Sequence, residues 1–297
     1  MKFTVIKRTI TIANPSRLSL KLYQLKIENK ESGEVHTVPL EDIGYLFLEH
    51  QQISLTVPLL QVCAEENIAV IICDERHHPA AQFTSFASHN LTGKRIRAQI
   101  TATKPIQKRV WQELIRQKIL NQATVVGAPF DQTLKGLAKE VKSGDSTNRE
   151  GVAAKVYWQG LFGSDFIRDP NSDSPNDILN YGYTILRAAT VRSIVGSGLS
   201  PTFGVFHTNQ YNPFPLADDV MEPYRPFVDQ IVQRIVERDE AIDFQKSKNI
   251  LKRVLVEDVR IDGLMRPLQL ALSMTTSSLA EIYDGKKEKL SLPELIK

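Results

Sequence analysis

The segment HTNQYNPFPLADDVMEP, from His207 to Pro223, sets a histidine and three carboxylates among amides and prolines. Asp219 and Glu222 stand three apart, so on a helix both acids project from one face, the convergence that metal ligands require. Pro223 and Pro226 each lack an N–H and leave the carbonyls of Asp219 and Glu222 without helical partners, so the backbone is expected to distort or end there. His207 follows the Gly- and Pro-bearing stretch GLSPTFGVF and is expected in a loop or turn. Such a set offers oxygen and nitrogen donors to a hard divalent cation, or a proton relay at a reacting oxygen. A structural histidine beside a helix terminus would read the same way.

Glu150, in STNREGVAAKVYW, is a third candidate ligand. Thr147 and Glu150 match the S/T-x-x-E capping box, which by itself accounts for a glutamate at a helix start. The small residues Gly151, Ala153 and Ala154 permit close approach to that first turn, but spacing alone does not bring Glu150 to His207. His77 and His78, beside Asp74 and Glu75 in CDERHHP, form a competing cluster whose adjacent imidazoles converge poorly.

The elements that must position these residues change character along the chain. In residues 1–90, FTVIKRTITI alternates, LSLKLYQ and IGYLFLEH read as strands, and IENKESGEVHTVPL reads as strand, Gly turn and strand. TVPLLQVCAEEN is expected to be a helix with Thr56 as cap and Pro58 in its first turn, followed by the buried strand IAVIICD. Beyond residue 90 the period is helical. Val110, Trp111, Leu114, Ile115 and Ile119 form a stripe after Pro105, and Leu134, Leu137 and Val141 form another before SGDST. EGVAAKVYWQGLF, NDILNYGYTILRAATVRSIV and FVDQIVQRIVERDEAIDF favour helix, with GSGLSP as a stop. The expected class is α+β: a β-rich N-terminal domain of residues 1–90, a larger all-α domain of residues 91–285 that contains the candidate ligands, and a flexible tail, 286–297, with little to bury.

At 297 residues, 42% hydrophobic and 24% charged, the chain is ordinary for a globular protein, and no apolar run approaches the ~18 residues of a membrane span. The N-terminus reads as a strand and not as a secretory signal, so a cytoplasmic location is expected and Cys63 and Cys73 are expected as reduced core residues. Net charge is only +3, but Lys94, Arg95, Arg97, Lys104, Lys108, Arg109, Arg116 and Lys118 oppose the single Glu113 over one short stretch. That excess suits phosphate contact as well as a solvated helix face. No GxxxxGK[ST] loop and no GxGxxG after a strand occur, so nucleotide hydrolysis is not indicated.

TNREGVAAKVYW, GSGLSPTFGVFH and NPFPLADDVMEPYRP together resemble the three signature segments of CRISPR-associated protein 1, the integrase family that inserts new spacers into CRISPR arrays. VPLEDIGYLFLE and IAVIICD followed by HHP are similar to that family's N-terminal domain, so the likeness covers nearly the whole chain. The resemblance implies that Glu150, His207 and Glu222 are the metal-binding catalytic set, with Asp219 as a helper, and that the cofactor is Mg²⁺ or Mn²⁺. It implies that Lys94, Arg95, Arg97, Lys108, Arg109 and Arg116 bind DNA. It also implies a homodimer, double-stranded DNA fragments and CRISPR repeat DNA as partners, and a dimer of CRISPR-associated protein 2 bridging two such dimers. ILNYGYTILRAATVRSIVGSGLSP most resembles members that accompany type II systems, which adds other type II CRISPR proteins as partners. The implied reaction joins a 3′-hydroxyl end to the repeat boundary by transesterification. Two other readings stay open from the residues: a metal-dependent endonuclease with water as nucleophile, and a non-catalytic DNA-binding subunit.

Overall fold

The computed structural model describes residues 7–75, 77–85, 89–169, 172, 174–238 and 244–296. The chain divides into two compact units, Met1–Thr92 and Gly93–Lys297. The expected α+β layout is present, strands first and helices after.

Among its described residues the first unit holds two four-stranded sheets. β1 (Arg8–Ile12), β5 (Ile43–Leu48) and β7 (Ala69–Cys73) run parallel, with β8 (Pro79–Phe83) antiparallel at the edge. All six residues of β5 are buried, as an unbroken apolar run in a central parallel strand should be. The second sheet, in the order β4 (Val35–Pro39), β3 (Gln24–Asn29), β2 (Ser16–Lys21), β6 (Ser54–Leu55), contains the expected strand, Gly turn and strand. Helix α1 (Val57–Glu65) has Pro58 in its first turn, and Thr56 occupies the N-cap position without a side-chain bond. Leu59, Val62 and Cys63 of α1 join Leu18, Leu25, Leu46 and Val70 in one core. Cys63 and Cys73 are both free and buried, and burial pushes the Cys63 thiol up to about 11.

Among its described residues the regular structure of the second unit is helical except for the hairpin β9 (Asp258–Ile261) and β10 (Leu264–Pro267). Its helices are α2 (Thr92–Ile100), α3 (Lys104–Val126), α4 (Asp131–Glu140), α5 (Arg149–Phe162), α6 (Asn176–Gly196), α7 (Pro215–Met221), α8 (Arg225–Arg238), α9 (Phe244–Leu251) and α10 (Leu268–Tyr283). The stripe Val110, Trp111, Leu114, Ile115 and Ile119 of α3 is buried against α4, α5 and α8. Helix α6 is buried along almost its whole length, and at Gly182 a Cβ would stand 2.4 Å from Val228 Cγ1 of α8, so only glycine admits that approach. The helix expected to run through FVDQIVQRIVERDEAIDF is described as α8 to Arg238 and α9 from Phe244; residues 239–243 lie outside the described residues. No helix among the described residues is long and apolar enough to cross a membrane.

The expectation of a flexible tail is corrected. Asn121 of α3, itself buried, donates to the Pro293 carbonyl at 3.0 Å and accepts from the Leu295 N–H at 3.1 Å. Glu113 accepts the Leu290 N–H at 2.8 Å, Ser291 is buried against Ser278, and Glu294 pairs with Arg260 backbone to backbone. Composition does not predict this docking: side chains distant in sequence satisfy the segment's backbone, while Leu290 and Leu292 pack on the core and Leu295 is buried. A chain ending at Lys286 should lose about 3 kcal/mol of stability, the remainder after the lost hydrogen bonds and leucine contacts are offset by the backbone entropy of ordering the segment. Urea denaturation of the two chains measures the difference, and equal midpoints would show the docking to contribute nothing.

Candidate active site

His207 is held by the carboxylate of Asp219. Asp219 on α7 is 0% exposed and accepts the backbone N–H groups of Val205 at 2.5 Å, Phe206 at 2.9 Å and His207 at 3.2 Å, besides the His207 ring at Nδ1, 2.6 Å away. The loop can wrap the carboxylate because residue 204 is glycine: a Cβ there would stand 2.5 Å from the His207 carbonyl oxygen and 3.0 Å from Asp219 Oδ2. Gln99 of α2 fixes the start of the loop through the carbonyls of Ser200 and Phe203. Trp111 of α3 forms its floor, with the Phe206 ring stacked on it at 4.3 Å and the His207 ring edge-on at 5.7 Å. The hydrogen bond from the His207 ring to Asp219 raises the His207 pKa above its ordinary value against partial burial, and Asp219, Glu222 and Asp218 add their charges in the same direction. With Nδ1 committed to Asp219, Nε2 is the nitrogen left for chemistry.

Glu222 begins a 3₁₀ turn, Glu222–Tyr224, between α7 and α8. The prolines thus end the helix where expected, and the stranded carbonyls find i+3 donors: the Glu222 N–H reaches the Asp219 carbonyl, and the Arg225 N–H reaches that of Glu222. Although three apart, the two acids do different work. Asp219 turns back to the His207 loop, whereas Glu222 faces Arg225 (NH1 to Oε1, 2.9 Å) and Lys118 (Nζ to Oε2, 2.6 Å). Burial opposes ionisation of Glu222, and Arg225 and Lys118 outweigh it, holding the carboxyl down to about 2.

Glu150 lies in the first turn of α5, and its carboxylate accepts from Lys118 Nζ at 2.5 Å. The capping-box reading is corrected. Asn148 is the N-cap and accepts the Gly151 N–H at 3.2 Å, while Asp145 accepts the N–H groups of Arg149 and Glu150 at 2.8 and 3.0 Å. Two other side chains do the capping, so the Glu150 carboxylate is free to turn to Lys118. A second layer stands behind Arg225, whose guanidinium covers the Tyr183 ring at 4.2 Å. Tyr183 and Tyr157 both donate to the buried Asp229 of α8, the latter at 2.9 Å, and burial pushes the Asp229 carboxyl up to about 6. A cavity of about 340 Å³ opens beside these groups, lined by His207, Glu222, Arg225, Arg168, Arg187 and Asp218 among others.

A family model described as CRISPR associated protein Cas1 matches residues 10–264. The CRISPR-associated endonuclease Cas1 of Neisseria meningitidis serogroup C (strain 8013) is 38% identical over 296 residues, which span 97% of this chain and 96% of that protein. The chain belongs to the Cas1 family. Among solved structures, a casposase bound to integration product matches this Cas1-family chain with a TM-score of 0.77 at 21% identity, over 97% of this chain and 92% of that one. A Cas6-RT-Cas1–Cas2 complex matches with a TM-score of 0.75 at 19% identity, over 100% of this chain and 37% of that one. At these identities the likeness is one of fold.

The residues of this Cas1-family chain fit a divalent cation, although no three His, Cys, Asp or Glu side chains among the described residues are grouped closely enough to hold one. Two carboxylate oxygens within 2.5 and 2.6 Å of one ammonium share a single cation position, and oxygen ligands suit Mg²⁺ or Mn²⁺. Glu222 Oε2 is buried and meets only the Lys118 ammonium, at 2.6 Å, among the ion pairs described, so a cation that replaced the ammonium would find this oxygen already aimed at it. His207 lines the same cavity as Glu222, and Glu150 joins them through Lys118. Asp219 already accepts four donors and is placed to orient His207. The competing residues Asp74, Glu75 and His78 line, with Gln51, a separate open hollow in the first unit.

The basic stretch divides. Lys94, Arg97, Lys108, Arg109 and Arg116 are exposed, but Arg95 is spent on the Ser197 carbonyl at 2.8 Å and on Asp284, and Lys118 belongs to the site. Both corrections have one cause: charge composition does not tell which face of a helix is buried. Lys118 nonetheless falls within the apolar stripe of LIRQKIL, and Arg225 is three residues after Glu222, so helical spacing could have singled out both. Nothing in the spacing connects Tyr157, Tyr183 and Asp229. Replacing Asp219 by Asn removes the largest cause of the raised His207 pKa. The His207 pKa should therefore fall, and NMR titration of its ring C–H resonances reads it; an unchanged value would show that Asp219 does not hold the ring.

Proposed function

We propose that this chain is a metal-dependent DNA integrase of CRISPR adaptation. It joins the 3′-hydroxyl ends of short DNA fragments to the repeat boundary of a CRISPR array, in complex with CRISPR-associated protein 2 and as a homodimer. The observation that carries the reading is the shared cation position of Glu150 and Glu222, with His207 on the adjoining cavity, in a member of the Cas1 family. Glu150, Glu222 and His207 would hold Mg²⁺ or Mn²⁺, which when bound polarises a phosphoryl oxygen and neutralises charge developing on it. The casposase match, described as bound to integration product, and the Cas1–Cas2 complex support joining chemistry and a Cas2 partner. The type II assignment rests on the wording of the α6 segment.

In this reading the incoming 3′-oxygen forms a bond to phosphorus as the bond to the outgoing 3′-oxygen breaks, so one phosphodiester replaces another and no nucleotide is consumed. The incoming hydroxyl loses a proton and the outgoing oxygen gains one. Asp219 holds the Nδ1 of His207 and so leaves Nε2 as the nitrogen that would ligate the metal. Arg225 keeps Glu222 ionised, and Asp229 with Tyr183 keeps Arg225 in place. The exposed Lys94, Arg97, Lys108, Arg109 and Arg116 offer charge to DNA backbone phosphates.

A labelled DNA with a free 3′-hydroxyl, a supercoiled plasmid bearing the repeat and Mn²⁺ test the proposal with and without the Cas2 partner. Joined product is expected; nicked plasmid alone would assign hydrolysis instead, as the endonuclease description of the Neisseria relative would suggest. Glu150→Gln should lower joining about a hundredfold or more with its circular dichroism unchanged. Full activity in that variant would leave the site a passive scaffold. Reversing Arg109 and Arg116 to Glu should weaken DNA binding and reduce the salt slope of log K by about 1 to 2. An unchanged slope would remove the basic face from the interface.

A further inference from the structure

Lys118 stands where a cation is wanted. It is 8% exposed, on the inward face of α3, with its ammonium 2.5 Å from Glu150 Oε1 and 2.6 Å from Glu222 Oε2. The two acids come from different elements: Glu150 from the first turn of α5, Glu222 from the 3₁₀ turn between α7 and α8. Two carboxylates aimed at one point repel and swing apart unless positive charge sits between them. Arg225 cannot supply it alone, because it approaches Glu222 from the other oxygen, Oε1. One ammonium thus meets an oxygen of each acid, at 2.5 and 2.6 Å.

We infer that Lys118 is a positioning residue that serves as a placeholder cation. Its ammonium keeps Glu150 and Glu222 in register while no divalent ion is bound, and the ion takes the seat by displacing it. The inference rests on the metal-dependent reading above. It adds that the ligand pair is preassembled by the chain's own charge and that metal and ammonium compete for one position. Lys118 rides on a long, packed helix, and only its flexible four-carbon stem must move for the ammonium to leave. The exchange puts a double charge in place of a single one between the same two acids, which favours it.

Competition and support predict opposite signs in two measurements, which separates them from an ordinary structural salt bridge. In EDTA, Lys118→Met should melt several degrees below the unsubstituted protein, because two acids are left facing each other. Its affinity for Mn²⁺, followed by the electron paramagnetic resonance of the free ion, should rise about tenfold, because no ammonium has to leave. The increase in melting temperature on adding Mn²⁺ should grow accordingly. Unchanged or weaker Mn²⁺ binding in the variant would overturn the inference, as would an unchanged melting temperature in EDTA. If Lys118→Met does not fold in EDTA, it is purified and measured in Mn²⁺ against Lys118→Gln, which removes the charge and keeps a polar group; the same tightening is expected, and its absence overturns the inference. The parent protein decides the underlying reading separately. No Mn²⁺ binding there would sink the metal site itself, whereas normal binding there with no tightening in the variant sinks the placeholder alone.

Discussion

Two glutamates from distant parts of the chain share one corner of the helical unit, and everything around them is arranged to make that tolerable. Their facing oxygens, each within 2.6 Å of the same ammonium, are no more than about 5 Å apart. At an effective dielectric of about 20, like charges at that distance repel by about 3 kcal/mol. That exceeds thermal energy several times over, so the corner holds only with cations in it. Lys118 supplies one between the acids and Arg225 a second behind Glu222. The four charges cancel, which lets Glu222 stay ionised with only 4% of its side chain exposed.

Helix α3 carries much of this arrangement. Trp111, Lys118 and Asn121 lie seven and three residues apart, on one face. Trp111 underlies the His207 loop, Lys118 meets the two glutamates, and Asn121 donates to the carbonyl of Pro223, the residue after Glu222, at 2.8 Å. Asn121 also binds the C-terminal segment, so residues 293–295 brace the turn that presents Glu222. A rigid helix can hold groups within a fraction of an ångström, which loops and termini do only when tied to one. The site's own elements are a loop, a 3₁₀ turn and a helix end, and α3 is what ties them.

The acids divide labour by environment and not by type. Asp219 is enclosed by N–H groups and works on His207; Glu222, three residues on, is enclosed by cations, one at each oxygen. Asp229, seven residues further, is 1% exposed. Burial raises its pKa, two tyrosine hydroxyls bind it, and it steadies the ring beneath Arg225. The two acids lie three residues apart on a helical backbone, and their different neighbours, not a difference in residue type, divide their roles.

The sequence by itself was sufficient for whatever depends on neighbours a few residues away. Alternation marked the strands of the first unit, the 3.6-residue stripe marked the buried face of α3, and Pro223 marked the end of α7. It also showed three family-like segments in order, and with them Glu150, His207 and Glu222 as the residues to watch. Local rules failed where distant side chains took over a local duty. Asp145 and Asn148 cap α5 in place of the expected Thr147 box, Asn121 and Glu113 hold down a C-terminal segment that composition marked as loose, and Arg95 is turned inward from a stretch that looked uniformly exposed. Only the tertiary structure decided that Lys118 stands between Glu150 and Glu222, because an ion pair is set by separation in space, and residues 32 and 104 positions apart along the chain carry no trace of it.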